Sequence, residues 1–105
     1  MIDLFSGCMS ELKNNINPYV KLVKEVKCND DAVKYLKVRL VHLLNYSSNL
    51  LLYSIMKSNK EEISNHPVLE WLKDVRKSLD DLKSEKEVVY DYFKQIFVSR
   101  KLKSL

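Results

Sequence analysis

Residues 49 to 72, NLLLYSIMKSNKEEISNHPVLEWL, contain the boundary that decides the fold. An apolar run gives way to a short polar segment, and a second apolar pattern starts directly after His66-Pro67. Proline favours the first turn of a helix, because the amide hydrogen that it lacks would have no partner there. The stretch therefore predicts a helix that ends near residue 58, a short loop, and a new helix that starts at Pro67 with His66 or Asn65 as its N-cap.

The composition indicates an all-α protein. The chain has 105 residues, which fits one domain. Hydrophobic residues make up 46% of it, enough to build a core that covers roughly two-thirds of the unfolded surface. It contains one glycine and two prolines, whereas strand-rich folds need both residue types at frequent tight turns. We therefore expect a few long helices in a single helical domain, residues 1–105.

Apolar residues recur at alternating spacings of three and four along most of the chain, which is the period of a helix with one buried face. Pro18 lies inside the first such pattern, so we expect the first helix to be kinked near it or to restart with Asn17 as N-cap. The segment Ser84-Glu85-Lys86-Glu87 is typical of a capping box and predicts a further helix start after Ser84. Short connections favour antiparallel neighbours. The predicted fold is an up-down-up-down four-helix bundle with helices at about residues 3–27, 31–58, 67–83 and 85–102.

The second predicted helix is the most apolar of the four. After Leu43 it is apolar over most of its circumference, which is typical of a central helix that its neighbours cover on several sides. Leu44, Leu51 and Ile55 form a second stripe beside the main one. We therefore expect this helix to lie at the centre of the bundle.

Side chains for catalysis or metal binding are too few to predict an enzyme. A metal site needs three or four clustered ligands, and the chain has only two histidines, His42 and His66. Nucleophilic catalysis needs a nucleophile, a base and an orienting group, and a phosphate-binding loop needs several glycines. We expect a non-enzymatic protein with no catalytic residues, metal, cofactor or small-molecule substrate.

The cysteines and the apolar runs bear on the cellular compartment. On one long helix, Cys8 and Cys28 would lie roughly 30 Å apart, too far for a disulfide, which favours a reducing compartment. The first residues include no apolar segment of the signal-peptide kind. The longest apolar run, around residues 50–56, is far shorter than the ~20 residues that span a bilayer. We expect no membrane association.

Positive charge accumulates toward the C-terminal end. No acidic residue follows Asp91, and a second basic run lies between residues 13 and 39. The net charge of +4 is modest for a dedicated nucleic-acid binder, so we expect at most weak RNA contacts. The alternative is an ordinary helix C-terminus, whose dipole favours cations. The candidate RNA-contacting residues are Lys94, Arg100, Lys101 and Lys103.

Aromatic residues exceed what the core of such a bundle requires. Tyr46, Tyr53 and Trp71 are the candidates for binding a partner helix in a groove. Trp71 is the most distinctive of them, because it lies off the apolar stripe of its own helix. The alternative is partial burial at the rim of the bundle.

Two longer segments carry a family resemblance. Residues 35–58, YLKVRLVHLLNYSSNLLLYSIMKS, and residues 66–82, HPVLEWLKDVRKSLDDL, resemble the helical domain shared by neuroguidin, the something-about-silencing proteins and the nuclear exosome cofactors. The resemblance covers about residues 3–83. Its aromatic and aliphatic members are Tyr46, Tyr53 and Leu72, with Arg76 in the later helix. The motif residues to which the resemblance gives a structural role are Asn49, His66, Pro67 and Val68.

The resemblance implies a role in the nucleolus. It suggests a non-enzymatic interaction domain of a nucleolar factor in pre-ribosomal RNA processing and small-subunit biogenesis, with protein components of the small-subunit processome as partners. The alternative that it implies is a nuclear exosome cofactor that docks on an exonuclease and RNA. A stand-alone RNA-binding domain is a third interpretation. Trp71 stands where the family would have a basic residue, and the chain ends without the family's long charged C-terminal region, as expected for the N-terminal domain of a longer protein.

Overall fold

The computed structural model of the chain describes the backbone of residues 2–103 and the side chains of residues 4–102. These residues form helices and loops and contain no strand, which confirms the all-α class. The elements in order are α1 (Ile2–Glu11), a π-helical turn (Leu12–Ile16), α2 (Asn17–Glu25), α3 (Asp30–Ser58) and α4 (Pro67–Lys103).

The first three elements form one continuous N-terminal rod, residues 2–25. The backbone is right-handed helical at both junctions, where Glu11, Ile16 and Asn17 all have helical dihedral angles. The amide of Asn17 donates to the carbonyl of Leu12, five residues back, so the turn before Pro18 is widened. Proline cannot donate to the carbonyl four residues back and clashes with it, and a π-bulge is one way to absorb that conflict. The irregularity expected near Pro18 therefore takes the form of a π-helical turn.

α4 corrects the predicted four-helix bundle. The helix runs unbroken for 37 residues, so the predicted start after Ser84 is wrong, and the described chain forms three rods. No glycine or proline interrupts residues 68–103, and Ser84, Glu85 and Glu87 are exposed. The buried face instead continues at alternating spacings of four and three, through residues that are all buried or half-buried: Val68, Leu72, Val75, Leu79, Leu82, Lys86, Val89, Phe93 and Ile96.

The three rods alternate in direction. α3 is antiparallel to both neighbours, and the N-terminal rod and α4 run parallel on the same side of it, since Glu11 meets Tyr90 and Glu25 meets Arg100. A 37-residue helix is about 55 Å long, which matches the longest dimension of 56 Å. The C-terminal end of α4 therefore extends past the start of α3 and packs beside α2 alone.

The core lies between the three rods. Ile16, Leu36 and Phe93, one from each rod, are at most 1% exposed. Tyr19 stacks on Phe93 with ring centroids 5.3 Å apart, and its other neighbour, Tyr90, is tilted at 5.6 Å. These aromatic contacts fix the N-terminal rod against α4, which no connecting loop joins directly.

Candidate interaction site

A buried polar cluster joins the three rods: Glu11, Arg39, Lys86 and Tyr90. Arg39 of α3 donates from Nε and Nη2 to the two carboxylate oxygens of Glu11, the second at 3.0 Å. From α4, the Tyr90 hydroxyl donates to Oε2 of Glu11, and Lys86 Nζ lies 3.5 Å from Oε1. The carboxylate thus draws partners from both α3 and α4, so the cluster fixes the register of the rods.

Burial and pairing set the ionisation of the polar cluster. Burial alone would raise the pKa of Glu11, but hydrogen bonds from Arg39 and Tyr90 and the positive charges nearby leave that pKa below its ordinary value. Burial and the adjacent carboxylate both raise the pKa of Tyr90. At neutral pH the cluster therefore holds an ionised Glu11 against a protonated Tyr90 and two cations, which is a structural arrangement.

The lowered pKa of Glu11 predicts acid sensitivity. Because folding favours the charged form, its contribution is complete above the ordinary carboxyl value of 4.5 and is lost as the pH falls through the lower folded value. We expect the free energy of unfolding of the native chain to decline below about pH 4.5, and Glu11→Gln to flatten that decline. Denaturant unfolding from pH 7 to pH 3 measures both. Glu62→Gln is the control, because this exposed carboxylate also has a lowered pKa but lies outside the cluster. A Glu11→Gln profile parallel to that of the native chain would contradict the prediction.

A basic groove lies on the other side of the molecule, where α2 runs beside the end of α4. Its volume is about 420 Å³. Leu22 and the 46%-exposed Phe97 provide apolar surface, and Lys13 and Lys21 contribute positive charge from the N-terminal rod. Arg100 also lines the groove and donates to Glu25 at 2.5 Å. An apolar surface edged by cations suits an anionic partner that also has a flat or apolar group.

The predicted RNA-contacting residues do not all meet at this groove. Arg100 and Lys101 line it, together with cations of the earlier basic run that the sequence analysis treated separately. Lys94 is exposed beside Asp91 and Gln95 in a separate depression on α4. Lys103 is the last residue of α4, and its side chain lies outside the described residues. RNA contact by these side chains stays a prediction.

The three aromatic candidates for partner binding have different environments. Tyr46 is 6% exposed and belongs to the core, and Tyr53 is half-buried with Lys57 Nζ 6.0 Å from its ring centre. Trp71 is 46% exposed, and its ring meets that of His66 edge-on at 6.1 Å. Trp71 is thus the most accessible of the three, and a partner role for any of them stays a prediction.

The motif residues shape the turn between α3 and α4. His66 Nδ1 accepts from the amide of Val68 at 3.0 Å, so His66 is the N-cap and Pro67 the first residue of α4. Val68 is fully buried directly after this cap. Asn49 donates to Asn45 at 3.0 Å on α3. The His-Pro pair is therefore the helix start that the sequence predicts.

An apolar surface on α3 departs from the sequence prediction. Val41, Leu44, Leu51 and Ile55 are 60, 49, 51 and 49% exposed, with the exposed Ser48 between them. We call these five residues the α3 stripe. Neither the N-terminal rod nor α4 covers this face, so the expectation of a central helix covered on several sides is wrong for it. The stripe is uncovered because the third and fourth predicted helices are one rod, which leaves α3 two neighbours.

Metal-ligating groups, thiols and apolar helices complete the description of the surface and interior. No group of three or more His, Cys, Asp or Glu side chains within the described residues could hold a metal ion. Cys8 is buried and Cys28 half-buried, and both are free thiols. Within residues 2–103, no helix combines the length and the apolar character needed to cross a membrane.

The comparisons with known proteins identify the family. The model of the Sas10/Utp3 family matches residues 2–85, and the chain belongs to this family. The chain is 30% identical over 84 residues to Protein THALLO of Arabidopsis thaliana, which covers 79% of this chain and 13% of that protein. It is 30% identical over 83 residues to Something about silencing protein 10 of Mus musculus, covering 78% of this chain and 18% of the mouse protein. The chain thus spans less than a fifth of either relative, and no solved structure matches it significantly.

Proposed function

We propose that the chain is a non-enzymatic helical interaction domain of a nucleolar factor that acts in pre-ribosomal RNA processing and small-subunit ribosome biogenesis. The observation that carries the proposal is the family match over residues 2–85, because this family is associated with nucleolar processing of ribosomal RNA. The protein would work in the nucleus and nucleolus as part of the small-subunit processome, with other proteins of that assembly as its partners.

The distribution of side chains supports an interaction role. The charged groups in the interior are committed to each other in the polar cluster, whereas the two prominent outer features are the α3 stripe and the basic groove. An uncovered aliphatic helix face suits packing against another helix. The groove would add weak, salt-sensitive RNA contacts, because Arg100 is already engaged by Glu25 and few cations are left for phosphates.

The second candidate is a nuclear exosome cofactor that docks on an exonuclease and on RNA. It is favoured by the helix face that α3 leaves open, which could pack against helices of such a partner. Both candidates use protein contacts, so the identity of the recovered partner distinguishes them.

Affinity capture of the tagged chain from a nuclear extract, with and without ribonuclease, tests the proposal by mass spectrometry. We expect small-subunit processome proteins to be recovered in both samples, because helix packing would not depend on RNA. Recovery of an exosome exonuclease instead would establish the second candidate, and recovery of neither assembly would overturn both.

The same capture tests the basic groove through the RNA that accompanies the chain. Lys21→Glu with Lys101→Glu should lower the recovered RNA several-fold, whereas Lys73→Glu with Lys77→Glu, an equal charge change at exposed positions of α4, should not. Equal losses in the two variants would mean that RNA recovery reflects net charge and that the groove has no special role.

A further inference from the structure

We propose that the α3 stripe is a self-association surface, on which a second copy of the chain packs its own α3 stripe in the antiparallel direction. This inference does not depend on the proposed function. It starts from the exposure of four aliphatic side chains on one helix face, each about half or more exposed. Their spacing from residue 41 to 55, with Ser48 included, is three, four, three and four, which is the seam spacing of paired helices.

The absence of exposed charge sets this face apart. Between Lys37 and Lys57 the only charged residue is Arg39, which is 6% exposed and bound to Glu11 in the polar cluster. A helix face that stays in water normally carries charged residues at every turn or two. A contiguous aliphatic face without them is typical of a surface that another protein surface covers.

The stripe is complementary to itself when two copies run antiparallel. A register that sets Leu44 against Ile55 of the second copy also sets Ser48 against Leu51, and the twofold symmetry repeats both pairs. The small Ser48 then leaves space for the larger leucine, so the two helices can approach closely. No charged side chain enters the apolar part of this pairing.

Charges at the two ends of the stripe favour the antiparallel direction. In the same register, Lys37 lies opposite Glu62 of the second copy, in the loop that follows α3. Both residues are exposed, and Lys57 lies away from this contact, above the ring of Tyr53. A parallel pair would instead set Lys37 against Lys37. The ion pairs add little affinity at the surface, but they distinguish the two directions.

The size of the contact predicts a weak dimer. The stripe is about 21 Å long at 1.5 Å per residue, and a single helix pair of that length is at the small end of specific interfaces. We therefore expect a monomer at low concentration and a dimer as concentration rises. Sedimentation equilibrium over a wide concentration range measures this directly.

Substitutions within the stripe test the surface. Leu44→Glu or Leu51→Glu should raise the dimer dissociation constant about tenfold or more, because each would bury a carboxylate at the contact. Val88→Glu is the matched control, since Val88 is a 72%-exposed aliphatic residue on α4, outside the stripe. A native chain that stays monomeric at every concentration would overturn the proposal. An equal effect of Val88→Glu would overturn it too.

A cross-link tests the orientation. In a chain with Cys8→Ala and Cys28→Ser, Ser48→Cys should form a covalent dimer with a short thiol-reactive linker, because residue 48 lies within a turn of the symmetry axis. Ser58→Cys should not, because its copies would lie about 25 Å apart along the helices. Cross-linking at both positions would indicate a parallel pair, and cross-linking at neither would overturn the interface. If the native chain is monomeric and Leu44→Glu abolishes capture of processome proteins, the stripe binds a partner helix and the self-association proposal is wrong.

Discussion

Replacing Glu11 by alanine is expected to lower the free energy of unfolding by about 3–5 kcal/mol. Glu11 accepts hydrogen bonds from Arg39 and Tyr90 and lies 3.5 Å from the ammonium of Lys86. Without the carboxylate, the guanidinium of the 6%-exposed Arg39 would remain buried with no counter-charge, and the rods could not relax without losing core contacts. Urea unfolding followed by circular dichroism measures the loss.

The matched control is the ion pair at the surface. Glu25 and Arg100 also join the N-terminal rod to α4, but their side chains are 60 and 46% exposed. Glu25→Ala should therefore cost at most about 1 kcal/mol, because water already screens this pair. If the two alanine variants lost equal stability, the polar cluster would be no more than another surface contact.

The polar cluster also explains how rods with repeating seams keep one register. Residues of α4 recur at spacings of four and three, so a shift by seven residues would still place apolar side chains against the core. Lys86 is the charged member of that seam, and it pairs with the carboxylate of Glu11. A shifted α4 would bury Lys86 among apolar side chains and leave Glu11 with Arg39 alone.

The sequence predicted the features that depend on neighbouring residues. The helix of residues 31–58 is found as Asp30–Ser58, and the helix start at Pro67 is confirmed. The cap of α3 is one residue earlier than predicted, because the side chain of Asn29 accepts from the amides of Asp31 and Ala32. Such caps are local, so a sequence places them to within a residue or two.

The remaining features depend on residues that are distant in the chain. Glu11 meets Arg39 and Tyr90 across separations of 28 and 79 residues, which no spacing rule connects. A signal was present: Lys86 interrupts an otherwise apolar seam, and Arg39 lies in the most apolar helix. Both positions indicate buried charge that needs a partner. The uncovered α3 stripe could not be predicted, because it follows from the number of rods rather than from α3.

The capping box shows how a local signal can fail. Ser84 and Glu87 have the spacing of a helix start, but a cap is worth roughly 1 kcal/mol. The seam on both sides of Ser84 buries a continuous face against α3 and the N-terminal rod, and breaking the helix there would redirect half of that face. Tyr35 also donates its hydroxyl to the carbonyl of Leu82, which secures this part of α4 to α3. Packing therefore outweighs the cap.

Proline at position 85 separates the two descriptions of this segment. If a helix started after Ser84, residue 85 would be its first position, where proline is favoured. In the continuous α4, Glu85→Pro would remove the amide that bonds to the carbonyl of Asp81 and would place the ring against that carbonyl. We expect a loss of about 3 kcal/mol or more in the free energy of unfolding, measured by urea denaturation.

Glu85→Ala is the control for this substitution, because Glu85 is exposed and alanine keeps the backbone amide. We expect alanine to change the stability by no more than about 0.5 kcal/mol, so a loss specific to proline reports on the backbone alone. If Glu85→Pro cost less than about 1 kcal/mol, the chain would bend freely after Ser84. A fourth helix could then fold back over the face of α3 that the continuous rod leaves open, and the α3 stripe would be part of the core.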